Sequence, residues 1–271
     1  MIRIFSLAVG AFFSLALLLA FGTGAYSYIT EPPAKTAEKL YHKHPKALSL
    51  PSDGIFGRFD EAQLQRGYAV YSNVCAACHS LSQVAYRDLA AIGYNEAEIK
   101  AIAAKATINA KDPLTGELKD RPGLPSDKFP PVVYAGKGAP PDLSLITKAR
   151  HKGPAYVYSL LTGYEDQPAA LVKQFPDAKT PDGMHYNPYF AALNIAMANP
   201  LASDGLVTYS DGTEATREQM AKDVAAFLVW TAEPELEQRH QTGLMWIGFL
   251  LFATALAYMS YRNIWADKKG H

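Results

Sequence analysis

Two cysteines and a histidine form the most informative pattern in this sequence, Cys75-Ala76-Ala77-Cys78-His79. Cys75 and Cys78 are the only cysteines among its 271 residues. The C-x-x-C-H pattern is typical of covalent c-type haem attachment. Two thiols one helical turn apart can each bond a vinyl group of one porphyrin, and the next imidazole can ligate the iron. We therefore predict one haem c, bound covalently by Cys75 and Cys78, with His79 as an axial ligand of the iron.

The pentapeptide also allows three other interpretations. A structural zinc site needs four ligands, and the sequence has no second C-x-x-C pair. A thioredoxin-like redox motif needs a βαβ context, which the residues around position 75 do not indicate. Two coincidental cysteines are the third interpretation. The local pair His42-x-His44 lies in a Lys- and Pro-rich stretch without a nearby third ligand, which is typical of solvated histidines.

The first 27 residues are typical of a targeting segment. Arg3 gives a positive start, and residues 4–22 are apolar and uncharged. Small residues follow, but no clear A-x-A cleavage site does. We predict that residues 1–27 form a signal peptide or an uncleaved N-terminal anchor.

A second apolar stretch lies near the C-terminus. Residues 243–261 contain no charged side chain and are long enough to cross a bilayer as a helix. The cations Arg262, Lys268 and Lys269 follow it, which predicts a cytoplasmic end. The haem segment then lies in the periplasm of a bacterium, anchored to the inner membrane. We predict a linker at residues 28–53 and a periplasmic cytochrome domain at residues 54–240. A transmembrane helix at residues 241–263 and a cytoplasmic tail at residues 264–271 follow.

The zero formal net charge gives no support for nucleic-acid binding. Between the apolar ends, Asp60 and Gln63 predict a capping box at the start of a helix. Gly67, Tyr71 and Cys75 then share one face of that helix. A glycine within a helix costs about 1 kcal/mol relative to alanine, so we expect a second helix to pack closely at Gly67.

The predicted partner helix covers residues 217–232. Thr216 and Gln219 suggest a second capping box before it, and Pro234 ends it. Short helices are predicted within residues 81–105, and a long loop over residues 106–141, which are rich in Pro, Gly, Lys and Asp.

Terminal helices crossing beside a haem resemble the class I cytochromes c, which implies a mainly α fold with long loops. Several further blocks resemble the cytochrome c1 family over residues 54–269. These blocks are APPDLS at 139–144, ARH at 149–151, YVYSLLTGY at 156–164, YNPYF at 186–190, IAM at 195–197, AKDV at 221–224 and WTAEPE at 230–235.

A low-spin haem also needs a sixth ligand, and methionine raises the potential relative to a second histidine. Between the apolar ends the methionines are Met184, Met197 and Met220. Met220 lies on the apolar stripe of the last predicted helix, so we expect it to pack in the core. Spacing alone leaves Met184 and Met197 open. The resemblance implies Met197, with Met184 or His185 as alternatives.

The same resemblance implies three supporting residues. The carbonyl of Pro141 would accept the His79 N–H, Arg150 would pair with a haem propionate, and Tyr156 would line the same edge. A plain loop proline and a surface arginine are the competing interpretations of Pro141 and Arg150.

The resemblance to the cytochrome c1 family also implies a function. The chain would pass single electrons from a Rieske iron–sulfur protein to a cytochrome c acceptor. It would do so beside cytochrome b in a dimeric quinol–cytochrome c reductase, and it would not be an enzyme on its own. The alternatives are a membrane cytochrome serving another oxidase or reductase, a haem-free zinc or thiol module, and a c-haem enzyme such as a peroxidase.

Overall fold

The computed structural model describes residues 2–32, 34–111, 116–132 and 139–268, which are mainly helical. The helices are α1 (Ile2–Thr30), α2 (Ala37–Tyr41), α3 (Glu61–Val70), α4 (Glu96–Ala104), α5 (Ile146–Ala149), α6 (Gly153–Leu161), α7 (Ala169–Gln174), α8 (Arg217–Ala232) and α9 (Leu236–Trp265). Antiparallel pairs join β1 (Thr107–Lys111) to β2 (Leu118–Pro122) and β3 (His185–Tyr186) to β4 (Asn194–Ile195). A π-turn at Tyr71–Cys75 extends α3, and 3₁₀ turns cover Tyr86–Ile92, Pro176–Ala178 and Ala266–Lys268.

The two helices predicted around the haem motif are confirmed as α3 and α8. Asp60 caps α3 by accepting a hydrogen bond from the Gln63 N–H at 3.2 Å. Thr216 caps α8 by accepting one from the Gln219 N–H at 3.2 Å. These caps satisfy N–H groups that a helix start leaves without partners. Helix α8 covers the predicted residues 217–232.

Helices α3 and α8 cross at Gly67, as predicted. A Cβ atom at this position would lie 2.2 Å from the Asp223 carbonyl oxygen and 2.6 Å from the Phe227 Cβ atom. Neither atom belongs to the flexible end of a side chain. The crossing therefore requires a residue without a side chain at position 67.

The two predicted capping boxes are wrong in one of their two hydrogen bonds, the one from the glutamine side chain back to the N-cap backbone. Instead of returning to the helix starts, the side chains of Gln63 and Gln219 both donate to one oxygen of Asp223, at 3.1 and 2.8 Å. The Arg66 Nε atom donates to the other oxygen at 3.0 Å. Asp223 is fully buried. A buried carboxylate is costly without partners, so it draws both glutamines away from the helix termini.

Aromatic rings fill the space around this crossing. The ring of Phe227 on α8 lies 5.7 Å from that of Tyr68 and 5.8 Å from that of Tyr71. Phe129 packs on the same cluster, with its centroid 4.3 Å from that of Tyr86. Tyr71 and Phe227 are buried. The core therefore holds the start of the haem motif on the side that faces α8.

The segment after the haem motif agrees with the sequence only in part. The short helices predicted within residues 81–105 are confirmed as the 3₁₀ turn Tyr86–Ile92 and helix α4. The loop predicted over residues 106–141 is wrong for residues 107–111 and 118–122, which pair as the antiparallel strands β1 and β2. Residues 112–115 and 133–138 of this predicted loop lie outside the described residues. Both strands are largely exposed and polar. A strand without a continuous apolar face gives only a weak sequence signal.

The predicted linker at residues 28–53 contacts the domain at several points. Ala37 of α2 is buried in a small cluster with Leu171, Tyr186 and Leu193. The Lys46 N–H donates to the Ser159 hydroxyl at 2.8 Å.

The histidine pair of this segment shows no metal site. His42 and His44 are both exposed. In the described part of the chain, no group of three His, Cys, Asp or Glu side chains could hold a metal ion.

Helices α1 and α9 are each long and apolar enough to cross a membrane. Helix α9 begins before the predicted span and continues to Trp265. Most large apolar side chains of both helices are exposed, and Leu236 at the start of α9 is buried. An exposed apolar helix of this length fits a bilayer better than water. Because a signal sequence passes the same test near an N-terminus, α1 stays predicted as either a signal or an anchor.

We expect the substitution Gly67→Ala to destabilise the folded protein by about 1–3 kcal/mol, the usual cost of overpacking a core. The added methyl group would force α3 away from α8. Urea unfolding of the detergent-solubilised protein, followed by circular dichroism, measures this loss. Gly248→Ala is the matched control, because nothing that the structure describes beyond α9 itself lies within 4 Å of an ideal Cβ position there. Equal stability of the two variants would contradict the close crossing.

Candidate functional site

The two cysteines lie where α3 unwinds into its π-turn. The Ala76 N–H donates to the Tyr71 carbonyl at 2.8 Å, five residues back. The N–H groups of Cys78 and His79 then both donate to the Cys75 carbonyl, at 3.1 and 2.9 Å. The chain therefore keeps turning through the motif. π-Turns of this kind frequently lie at functional sites.

The two thiols are free and differ in their surroundings. Cys75 is partly buried and Cys78 is exposed. Burial raises the pKa of the Cys75 thiol to about 12, and the neighbouring Cys78 contributes to this shift. Because a thiol with such a pKa stays protonated near neutral pH, Cys75 is a poor nucleophile in the folded chain without a bound group.

The ring of His79 has a defined tautomer. Its Nδ1 atom lies 2.8 Å from the carbonyl oxygen of Pro141. A carbonyl can only accept, so Nδ1 carries a proton, and in the neutral ring Nε2 then bears the lone pair. The Tyr71 hydroxyl also donates to the His79 carbonyl at 3.0 Å. The backbone and the ring of His79 are thus both held, and Nε2 is available to a metal.

Arg150 and Tyr156 lie together on either side of the start of α6. Burial raises the pKa of Tyr156, and the positive charge and hydrogen bond of Arg150 oppose this rise. The Arg150 Nη1 atom also donates to the Ala149 carbonyl at 3.1 Å, and its side chain is exposed. The structure therefore places these two predicted residues near each other and leaves the exposed guanidinium accessible to a carboxylate.

Met197 follows β4 in a loop and is half-buried. The Tyr164 hydroxyl donates to its backbone carbonyl at 3.0 Å. Tyr164 also lies near Tyr156, which contributes, after burial, to the raised pKa of Tyr164. Tyr164 is thus hydrogen-bonded to the Met197 loop and lies near Tyr156.

The alternative ligands also lie near Tyr164. Met184 and His185 line a polar cavity of about 570 Å³, together with Tyr164, Thr180 and Asn199. The rings of Tyr164 and His185 are 6.5 Å apart. The choice between Met197 and Met184 therefore stays a prediction.

The third methionine has a different environment. Met220 is fully buried on α8, in agreement with its predicted role in the core.

Sequence reasoning misses two hydroxyl groups of this site. The sequence predicts only packing for Tyr71 and gives no role to Tyr164. Each hydroxyl donates to the backbone of a predicted ligand, His79 or Met197. A donor to a backbone carbonyl leaves no pattern in the sequence, because any residue supplies the acceptor.

The crossed α3 and α8, the C-x-x-C-H turn and the apolar α9 define a mainly helical domain of the class I cytochrome c type with an apolar C-terminal helix. A sequence profile of the cytochrome C1 family matches residues 50–268.

Relatives from plants, bacteria and fungi agree with this profile. The chain is 45% identical to "Cytochrome c1 1, heme protein, mitochondrial" of Arabidopsis thaliana, over 93% of this chain and 81% of the relative. It is 42% identical to "Cytochrome c1" of Rhodospirillum rubrum, over 80% and 85% of the two chains. For the "Cytochrome b-c1 complex catalytic subunit, mitochondrial" of Candida albicans the identity is 43%, over 80% and 77%. The chain belongs to the cytochrome c1 family.

In the chain without haem, we expect iodoacetamide to alkylate the exposed Cys78 well before Cys75, whose thiol is partly buried and has a raised pKa. Alkylation of Cys75 should stay slow at neutral pH and accelerate as the pH rises towards its pKa of about 12. Peptide mass mapping over time measures both rates. The Cys78→Ser variant isolates Cys75, and rapid labelling of that variant at about pH 7 would contradict the buried position of Cys75.

Proposed function

We propose that the chain binds one haem c covalently through Cys75 and Cys78 and uses it for single-electron transfer. The observation that carries this proposal is the His79 ring, whose Nδ1 atom is bonded to the Pro141 carbonyl at 2.8 Å. This hydrogen bond leaves the Nε2 atom of His79 free to ligate iron. The same turn carries the two free thiols of Cys75 and Cys78. The donor set fits the group, because thioether formation needs free thiols and iron needs a neutral imidazole nitrogen. When bound, the haem supplies a one-electron couple of ferric and ferrous iron.

The residues of the chain have distinct parts in this proposal. His79 would be the proximal ligand, and the Pro141 carbonyl would increase the basicity of its ring by accepting a hydrogen bond from the Nδ1–H group. Tyr71 keeps the His79 backbone in place. No nucleophile or general base takes part, since the protein only has to hold the haem at fixed ligands. On its own the chain is therefore an electron-transfer subunit and not an enzyme.

Met197 is the proposed second axial ligand. Its half-buried position suits a thioether that must be shielded from water. The hydrogen bond from Tyr164 restrains the backbone that would carry this ligand. Methionine opposite histidine raises the potential relative to two histidines, which suits a carrier late in an electron-transfer chain.

Arg150 and Tyr156 are proposed to bind a haem propionate. The Arg150 guanidinium is exposed and lies near Tyr156. A guanidinium and a phenol together can donate to one carboxylate, and the bond from arginine is charge-assisted. The pair would hold the haem edge without blocking it.

The proposed donor is a Rieske iron–sulfur protein, and the proposed acceptor is a cytochrome c. Both would act beside cytochrome b in a dimeric quinol–cytochrome c reductase. The Candida albicans relative is named as the catalytic subunit of a cytochrome b-c1 complex, which supports this assembly.

The proposed location is the inner membrane of a bacterium, with α9 in the bilayer and the haem domain in the periplasm. The cations Arg262, Lys268 and Lys269, which follow the apolar stretch at residues 243–261, support this orientation.

Purification of a tagged chain from its native membranes tests the proposed function. We expect a haem stain that survives a denaturing gel, a reduced-minus-oxidised spectrum of a c-type cytochrome, and co-purified cytochrome b and Rieske protein. A chain mass without added haem would refute the proposal and favour a thiol or zinc module. Haem without these partners would indicate a cytochrome of another oxidase or reductase, and tight cyanide binding at neutral pH would indicate a c-haem enzyme.

Replacing the sulfur ligand separates the two candidate methionines. We expect Met197→Leu to abolish the charge-transfer band between sulfur and ferric iron and to lower the midpoint potential, because leucine cannot ligate. Met184→Leu is the matched control and should retain both properties. Optical spectra of the oxidised protein and a redox titration measure them. Loss of the band only in Met184→Leu would move the ligand to position 184.

A further inference from the structure

The carboxylate of Asp142 joins the loop of Pro141 to the segment that follows His79. Its Oδ2 atom accepts the Ser82 N–H at 2.8 Å, and its Oδ1 atom accepts the Ser144 N–H at 2.9 Å. Ser82 lies three residues after His79, and Asp142 directly follows Pro141. One side chain thus bridges two parts of the chain that are 60 residues apart.

The position of the Pro141 carbonyl depends on such bridges. Pro140 and Pro141 have no backbone N–H with which to fix themselves. Among the described residues, the nearest anchors lie on the C-terminal side, where the Leu143 N–H donates to the Ser80 carbonyl at 2.9 Å and the Ser144 hydroxyl accepts a hydrogen bond from the Gln83 N–H at 3.1 Å. Of these anchors, only the Asp142 side chain is next to Pro141 in sequence.

We infer that Asp142 is a positioning residue for the proximal imidazole, and that by fixing the Pro141 carbonyl it sets the strength of the His79–Pro141 hydrogen bond and thereby the haem potential. The inference rests on the proposed function, since it concerns the haem that His79 would ligate. A carbonyl held at 2.8 Å from Nδ1 makes the ring more basic. A more basic ligand favours ferric iron, so the bridge keeps the potential low. Weakening the Asp142 bridge should therefore raise the midpoint potential of the haem.

The negative charge of Asp142 acts in the same direction, so the experiment has to separate charge from position. Asp142→Asn removes the charge and one of the two acceptor oxygens. Asp142→Glu keeps the charge but displaces the carboxylate by one methylene group. Asp88→Asn is the control, because the Asp88 Oδ2 atom also accepts a backbone N–H, that of Ala85 at 2.8 Å, but belongs to the 3₁₀ turn Tyr86–Ile92.

Redox titration of the haem in membranes containing each variant is the measurement. In both Asp142 variants we expect the ratio of ferrous to ferric haem at a fixed ambient potential to rise at least about threefold, roughly 30 mV for a one-electron couple. Asp88→Asn should match the wild type. The low-spin ferric EPR spectrum should shift in the two Asp142 variants as well, because it reports the ligand field of the imidazole.

Two results would overturn the inference. The first is a potential for Asp142→Asn equal to that of Asp88→Asn. The second is a wild-type potential and EPR spectrum for Asp142→Glu, which would assign the effect to charge alone. If Asp142→Asn fails to accumulate with haem, Asp142→Glu decides by the same criteria. Absence of covalent haem from the wild-type chain would instead be a failure of the proposed function.

Discussion

The close crossing of α3 and α8 at Gly67 is the constraint on which the rest of this domain depends. A Cβ atom there would lie 2.2 Å from the backbone of α8, so the two helices are as near as their main chains permit. Because the haem motif directly continues α3, the position of Cys75 relative to the core is decided at this contact. The aromatic rings of Tyr71 and Phe227 then fill the space beside it.

The same crossing contains a buried charge. Asp223 is fully buried and accepts hydrogen bonds from Gln63, Gln219 and Arg66, while Arg66 also pairs with Asp211. Taking a carboxylate out of water is costly unless its oxygens are bonded. Here three donors from two helices bond them, which links the register of α3 to that of α8. Because Gln63 and Gln219 lie in the first turns of α3 and α8, the network also holds the N-terminal ends of both helices together.

Around this rigid centre, loops provide the groups that complete the site. The loop before α5 brings Pro141 and Asp142 to the segment after the cysteines, and the loop after β4 places the Met197 carbonyl at the Tyr164 hydroxyl. Each contact joins residues that are distant in sequence. Loops can carry such functional groups because the packed helices fix the points from which the loops depart. The potential of the iron would then be tuned by loop contacts without changing the core.

The sequence by itself determined the features that depend on near neighbours. The C-x-x-C-H spacing, the starts of α3 and α8, the glycine at their crossing and the apolar C-terminal helix are local patterns, and a helical turn or a cap involves only a few adjacent residues. The tertiary structure alone decided where Gln63 and Gln219 point, that a polar hairpin forms at β1 and β2, and that hydroxyl groups hold the backbone of the predicted ligands. These depend on which distant group comes within hydrogen-bond distance, and a linear pattern contains no such distance.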